Sequence, residues 1–166
     1  MRARQHGFTL LEILVVVAVI AIMSGALVLS AASGGIERRL EDEATRLVRV
    51  LQVLCDQSVI EARFIGFGVG QGAYAGYELL DKGWLPVRKA GPLAVHQLPN
   101  SLQLRLGDRD DPLDPVIPEK PRCVCAPTGE LGALDLRLGL TDKNIAWRIA
   151  LDDNGAPIAE LIGTTP

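Results

Sequence analysis

Gly7-Phe8-Thr9-Leu10-Leu11-Glu12 opens an apolar stretch that runs to Ala32. Between Phe8 and Ala32 the polar side chains are Thr9, Glu12, Ser24 and Ser30, and Glu12 alone is ionisable. As a helix the stretch spans roughly 37 Å at about 1.5 Å per residue, against about 30 Å of bilayer hydrocarbon. A cleaved export signal has an apolar core of only about 7–15 residues. Residues 8–32 therefore read as a transmembrane helix. A carboxylate in such a helix costs roughly 2.5–3.5 kcal/mol at its centre and less near its end. Glu12 is thus a functional candidate. Arg2 and Arg4 lie before the apolar run, which sets the N-terminus in the cytoplasm and the remainder across the membrane.

Outward from this stretch, Ser33-Gly34-Gly35 interrupts the apolar run. Each glycine costs about 1 kcal/mol inside a helix, so a softened joint is expected here. Helical spacing then resumes. Leu40, Ala44, Leu47, Val48, Leu51, Leu54, Cys55, Ser58 and Ala62 recur at intervals of three and four, with Glu41, Asp42, Arg46, Arg49, Gln52, Asp56 and Glu61 mostly between them. Residues 33–63 read as an amphipathic helix with one face for a core. From Phe64 the period becomes two. Strands are expected over Phe64–Val69, Tyr74–Leu80, Trp84–Val87, Leu93–Leu98, Leu102–Leu106, Cys123–Ala126, Ala133–Leu140, Ile145–Leu151 and Ile158–Ile162. Asp81-Lys82-Gly83 and Asp152-Asp153-Asn154-Gly155 supply hairpin turns. Gly107–Arg122 holds four prolines and five acidic residues and reads as a long exposed loop. One long helix followed by antiparallel strands is an α+β arrangement, here a helix packed on a β-sandwich-like head. The expected divisions are 1–7, 8–32, 33–63 and 64–166.

The chain has 166 residues and a formal net charge of −3. Losing Arg2 and Arg4 with residues 1–7 would lower this to about −5, and a nucleic-acid binder would instead show a basic patch. No nucleic-acid partner is expected. There are three cysteines, Cys55, Cys123 and Cys125, and an odd number leaves at least one without an intramolecular partner. Buried free thiols acting as small apolar residues are the simple expectation. Cys123 and Cys125 are expected on opposite faces of their strand, so unbonded to each other, and Cys55 with either remains geometrically open.

No set of residues assembles an enzyme's chemistry. His6 and His96 are the only histidines; His96 reads as a surface or sheet-edge residue. Gly66, Gly68, Gly70 and Gly72 alternate, but a dinucleotide fingerprint opens a helix after a strand. Here the run follows a helix, so it reads as a glycine-rich strand that another element approaches closely. Asp108, Asp110, Asp111 and Asp114 could gather Ca²⁺, but their spacing is not that of a calcium loop. A solvated acidic loop is expected, with no metal and no cofactor.

Residues Gly7 to about Ala62 resemble the N-terminus of type IV pilins and type II secretion pseudopilins: a basic leader ending in glycine, Phe-Thr-Leu-Leu-Glu, and a long hydrophobic helix. The resemblance implies cleavage between Gly7 and Phe8 by a prepilin peptidase and N-methyltransferase, with Phe8 the methylated first residue. It also implies that Glu12 becomes the fifth residue and the assembly contact of a filament subunit. Cys125-Ala126-Pro127-Thr128-Gly129, the strands after it and Asp152–Gly155 are similar to the C-terminal part of H-type minor pseudopilins and FimT-like minor pilins. The aromatic residue usual before their Pro-x-Gly turn is absent here. Membership would imply a structural protein of the inner membrane and pseudopilus, at or near the tip. Its partners would be other minor pseudopilins and the major pseudopilin. A minor pilin of a type IV pilus, for pilus assembly or DNA uptake, is the alternative.

Overall fold

The computed structural model describes residues 10–88, 90–107, 111–141 and 143–162. One helix, α1 (Leu10–Ile60), precedes ten strands. The chain divides into two compact units between Arg39 and Leu40. In the first unit α1 carries a run of exposed large apolar side chains from Leu10 to Met23. The helix passes Gly34-Gly35 without a break.

In the second unit the helical period decides what is buried. Leu40, Ala44, Leu47, Leu51, Leu54 and Ser58 lie on the covered face and are fully buried. Ala62, expected on the same face, is exposed and lies beyond the helix with φ +49°. The amides of Ala62 and Arg63 donate to the carbonyls of Val59 and Ser58. This is the paired-bond helix stop that requires a left-handed residue, usually glycine.

The strands form two antiparallel sheets. Sheet A contains β1 (Ile65–Val69), β2 (Ala73–Leu80), β3 (Gly83–Pro86), β4 (His96–Gln97) and β7 (Cys123–Cys125). Its order is β3-β2-β1-β7, with β4 also paired to β2. Sheet B runs β10 (Pro157–Ile162), β9 (Lys143–Leu151), β8 (Asp135–Leu140), β5 (Leu102–Leu106), β6 (Asp111–Pro112). Alternation places Ile65, Phe67 and Val69 in one cluster with the α1 face, with Leu102, Leu104, Leu136, Leu138 and Ile149 of sheet B, and with Cys123 and Cys125. Helix and both sheets thus share one largely aliphatic core.

The opposite face of β1 explains the glycines. A Cβ on Gly66 would meet Pro121 at 2.5 Å, and one on Gly68 would meet the Tyr77 ring at 2.2 Å. One on Gly70 would meet the Val116 carbonyl oxygen at 2.8 Å. The close approach expected of the glycine run is therefore real, but it is made by Tyr77 and the 113–121 segment rather than by α1. That segment was expected as an exposed loop. Most of its described residues are exposed, as expected, but Asp111–Pro112 pairs with β5 and residues 113–121 lie as a strap across sheet A. Leu113 is buried. The carbonyls of Asp114 and Phe67 accept from the amides of Gln71 and Arg122 at 2.8 and 2.7 Å, and the Tyr77 hydroxyl donates to the Pro118 carbonyl. Proline suits such a strap because it has no N–H to leave unpaired when packed on a sheet face.

The strand expected over Leu93–Leu98 reduces to His96–Gln97. Here the Gly76 amide donates to the Leu93 carbonyl and the Leu98 amide to the Gly72 carbonyl, so the segment follows β2 without a continuous ladder.

Candidate functional site

Two regions carry the sequence's functional candidates. The first is the N-terminal segment. Gly7 and Phe8 lie outside the described residues. Glu12 is exposed on α1. Among the described residues no helix is long and apolar enough to cross a membrane, and the Phe8–Ala32 stretch begins outside them.

The second region is a clamp at the other end of α1. Cys55 and Cys125 form a disulfide with their Cα atoms 5.4 Å apart, joining the helix to β7 across 70 residues of sequence. This corrects the expectation of three free thiols. It also corrects the placing of Cys123 and Cys125 on opposite faces: residues two apart on a strand share a face, and both side chains lie in the core. Cys123 remains a free, buried thiol, and burial pushes it up to about 12, so it stays protonated and unreactive.

One turn beyond Cys55, the Ser58 hydroxyl lies 2.9 Å from the Cys125 carbonyl oxygen and 2.6 Å from that of Arg63. The backbone then turns through Pro127-Thr128-Gly129. The Gly129 amide donates to the Ala126 carbonyl at 2.8 Å and the Ala126 amide to the Glu130 carbonyl at 2.9 Å. Gly129 has φ +88°, and a Cβ there would lie 3.3 Å from Val59 of α1. Arg63 closes the end of the clamp, in contact with Glu61 and 3.3 Å from Glu78. Disulfide, hydroxyl bridge and turn all fasten the last two turns of α1 to β7.

Elsewhere the polar groups hold structure together. His96 Nε2 lies 3.1 Å from Glu43 Oε2, and the imidazole centroid is 5.0 Å from that of Tyr74. His96 therefore ties the sheet edge to α1, as its expected edge position allows. Burial, helped by the Glu43 charge, pushes Tyr74 up to about 12, so its phenol is neutral. A cleft of about 450 Å³ is lined by neutral side chains such as Gln71, Gln97, Asn100, Gln103 and Thr141. That lining lacks a paired acid and base for proton transfer. Among the described residues no group of three metal-ligating side chains gathers. Asp108 and Asp110 lie outside those residues, and Asp114 contributes its carbonyl to Gln71.

Comparison with known proteins agrees with this division. The family described as the prokaryotic N-terminal methylation motif matches residues 2–28. Type II secretion system protein H of Pseudomonas aeruginosa is 31% identical over 150 residues, covering 83% of this chain and 84% of that protein. Type II secretion system protein H of Aeromonas hydrophila is 26% identical over 159 residues, covering 88% and 87%. Two structures of the Vibrio cholerae minor pseudopilin EpsH share the fold, with TM-scores of 0.58 and 0.61 at 19% and 18% identity. They cover 75% and 79% of this chain and 96% and 99% of theirs. Between the secretion and type IV pilus readings, the relatives favour secretion. The N-terminal motif, the helix-on-two-sheets head and the likeness over most of the chain to a relative 31% identical converge: the chain belongs to the type II secretion system protein H family, and is a minor pseudopilin, a structural subunit and not an enzyme.

Proposed function

We propose that residues 1–7 are a leader removed between Gly7 and Phe8 by a prepilin peptidase, which also methylates the new amine of Phe8. The 8–32 segment then anchors the subunit in the bacterial inner membrane, with its N-terminus cytoplasmic and its head periplasmic. From there it joins the periplasmic pseudopilus at or near the tip, beside other minor pseudopilins and the major pseudopilin, in support of protein secretion across the outer membrane. The observation that carries this reading is the methylation motif over residues 2–28 on a chain with a pseudopilin head.

Glu12 supplies the assembly contact. A carboxylate in an apolar helix bundle needs an opposite charge, and the amine of Phe8 on a neighbouring subunit provides one. Mass spectrometry of the membrane-extracted protein tests the processing step. An N-terminus of N-methyl-Phe8 is expected, and any other mature N-terminus overturns it. Glu12→Ala should enter the membrane normally and fail to be incorporated; normal incorporation removes Glu12 from the assembly role.

A further inference from the structure

The clamp contains a chemical step that the fold positions closely. Cys55 is half-buried on the rim of α1, whereas Cys125 is fully buried in β7. The groups around the pair hold it together independently of the S–S bond. Ser58 bridges to the Cys125 carbonyl, and Val59 sits against Gly129. The two thiols of a reduced head are therefore neighbours once the fold has formed, and only one of them faces solvent. Cys123, the third cysteine, is buried on the same face.

We propose that Cys55–Cys125 is an oxidative maturation site, served by a disulfide-bearing oxidoreductase, with Cys55 receiving the incoming disulfide and Cys125 resolving it. The inference rests on the periplasmic placement of the head, since disulfides form and persist in oxidising compartments. The Cys55 thiolate attacks one sulfur of the oxidant's disulfide, forming a mixed disulfide and releasing the other sulfur as a thiolate. The Cys125 thiolate then attacks Cys55 Sγ. The Cys55–Cys125 bond forms, the mixed disulfide breaks, and the oxidant leaves as a dithiol carrying two electrons and, after protonation, two protons. Cys123 takes no part, because Cys125 and not Cys123 is the residue the fold sets beside Cys55.

The test uses the full-length protein in detergent. It is reduced without denaturation, freed of reductant and exposed to oxidised glutathione as the probe, with timed acid quenching and peptide mass spectrometry. The expected first adduct is glutathione on Cys55, followed by its replacement with the Cys55–Cys125 disulfide. Cys125→Ala should keep glutathione on Cys55, and Cys55→Ala should be modified at least tenfold more slowly. A first adduct on Cys125 or Cys123, or equal rates for the two variants, overturns the order. Finding Cys55 and Cys125 as free thiols in protein alkylated directly in cells overturns the site itself. The wild-type time course stands without either variant. The intact mass reports loss of residues 1–7 separately, so a failure of the processing reading is distinguishable.

Discussion

Replacing Gly68 with alanine tests the packing that joins sheet A to its strap. A Cβ at Gly68 would lie 2.2 Å from Cε2 and 2.8 Å from Cζ of Tyr77. Both atoms belong to a rigid ring that is almost fully buried and whose hydroxyl is held by the Pro118 carbonyl. The ring must move, and the strap must move with it. Overpacking of this kind costs about 1–3 kcal/mol. Loss of the phenol hydrogen bond adds about 1 kcal/mol. The reduced freedom of the unfolded chain on Gly→Ala returns about 0.4–1 kcal/mol. The net loss expected is about 1–3 kcal/mol, read as a lowered urea midpoint followed by tryptophan fluorescence. Gly72→Ala is the matched control from the same alternating run, because nothing lies within 4 Å of a Cβ there. It should raise stability by about 0.4–1 kcal/mol. Equal effects at the two positions would exclude the Gly68–Tyr77 contact as the cause. A double variant with Tyr77→Leu should recover most of the Gly68→Ala loss, as expected for residues in direct contact.

The disulfide closes a 70-residue separation, which the chain-entropy relation values at about 4 kcal/mol. Cys55→Ala with Cys125→Ala should therefore lower the denaturation midpoint sharply, and an unchanged midpoint would contradict the link. Ala62→Gly should stabilise the head by about 0.5–1 kcal/mol, since a left-handed L-residue costs about 1–2 kcal/mol and glycine's unfolded-state freedom offsets part of it; thermal melting reads the gain. Arg148 lies 3.0 and 2.8 Å from the two Asp135 carboxylate oxygens across β8–β9, and its hydrogen bonds hold Asp135 below its ordinary value. The pair's contribution is thus complete above the ordinary aspartate value of about 3.9. It is lost as pH falls through the lowered one. Because both side chains are partly exposed, Arg148→Ala should cost no more than about 1 kcal/mol at neutral pH. It should also move the Asp135 titration upward by NMR.

The elements of this fold were legible where local chemistry decides them. The change of period at Phe64 separates helix from strands. Asp152 shows why its turn could be read directly: its carboxylate accepts from the amides of Asn154 and Ala156, and Gly155 takes φ +79°. Pairing across long separations was not legible. Nothing in Cys123-Val124-Cys125 indicates that it will lie beside β1, with Ile65 opposite Cys125. Proline and aspartate content signals the exposed loop that most of residues 112–122 form, but not the sheet face it crosses. Only the bare face of Gly66, Gly68 and Gly70 hints that something must fill it. The Cys55–Cys125 pairing stays open in the sequence, because three cysteines in an aliphatic core read equally as buried thiols and nothing local says which strand meets the helix. The N-terminal candidates came from a motif whose residues Gly7 and Phe8 precede the described chain, so the structure bears on Glu12 alone among them.

On the proposed function, loss of this pseudopilus subunit stops secretion. The direct measurement is the distribution of a type II secretion substrate between periplasm and medium in a strain lacking this chain, with pilus-dependent twitching scored in parallel. Accumulation of the substrate in the periplasm with normal twitching, reversed by the wild-type chain but not by Glu12→Ala, is the expected result. Normal secretion with lost twitching would contradict the account.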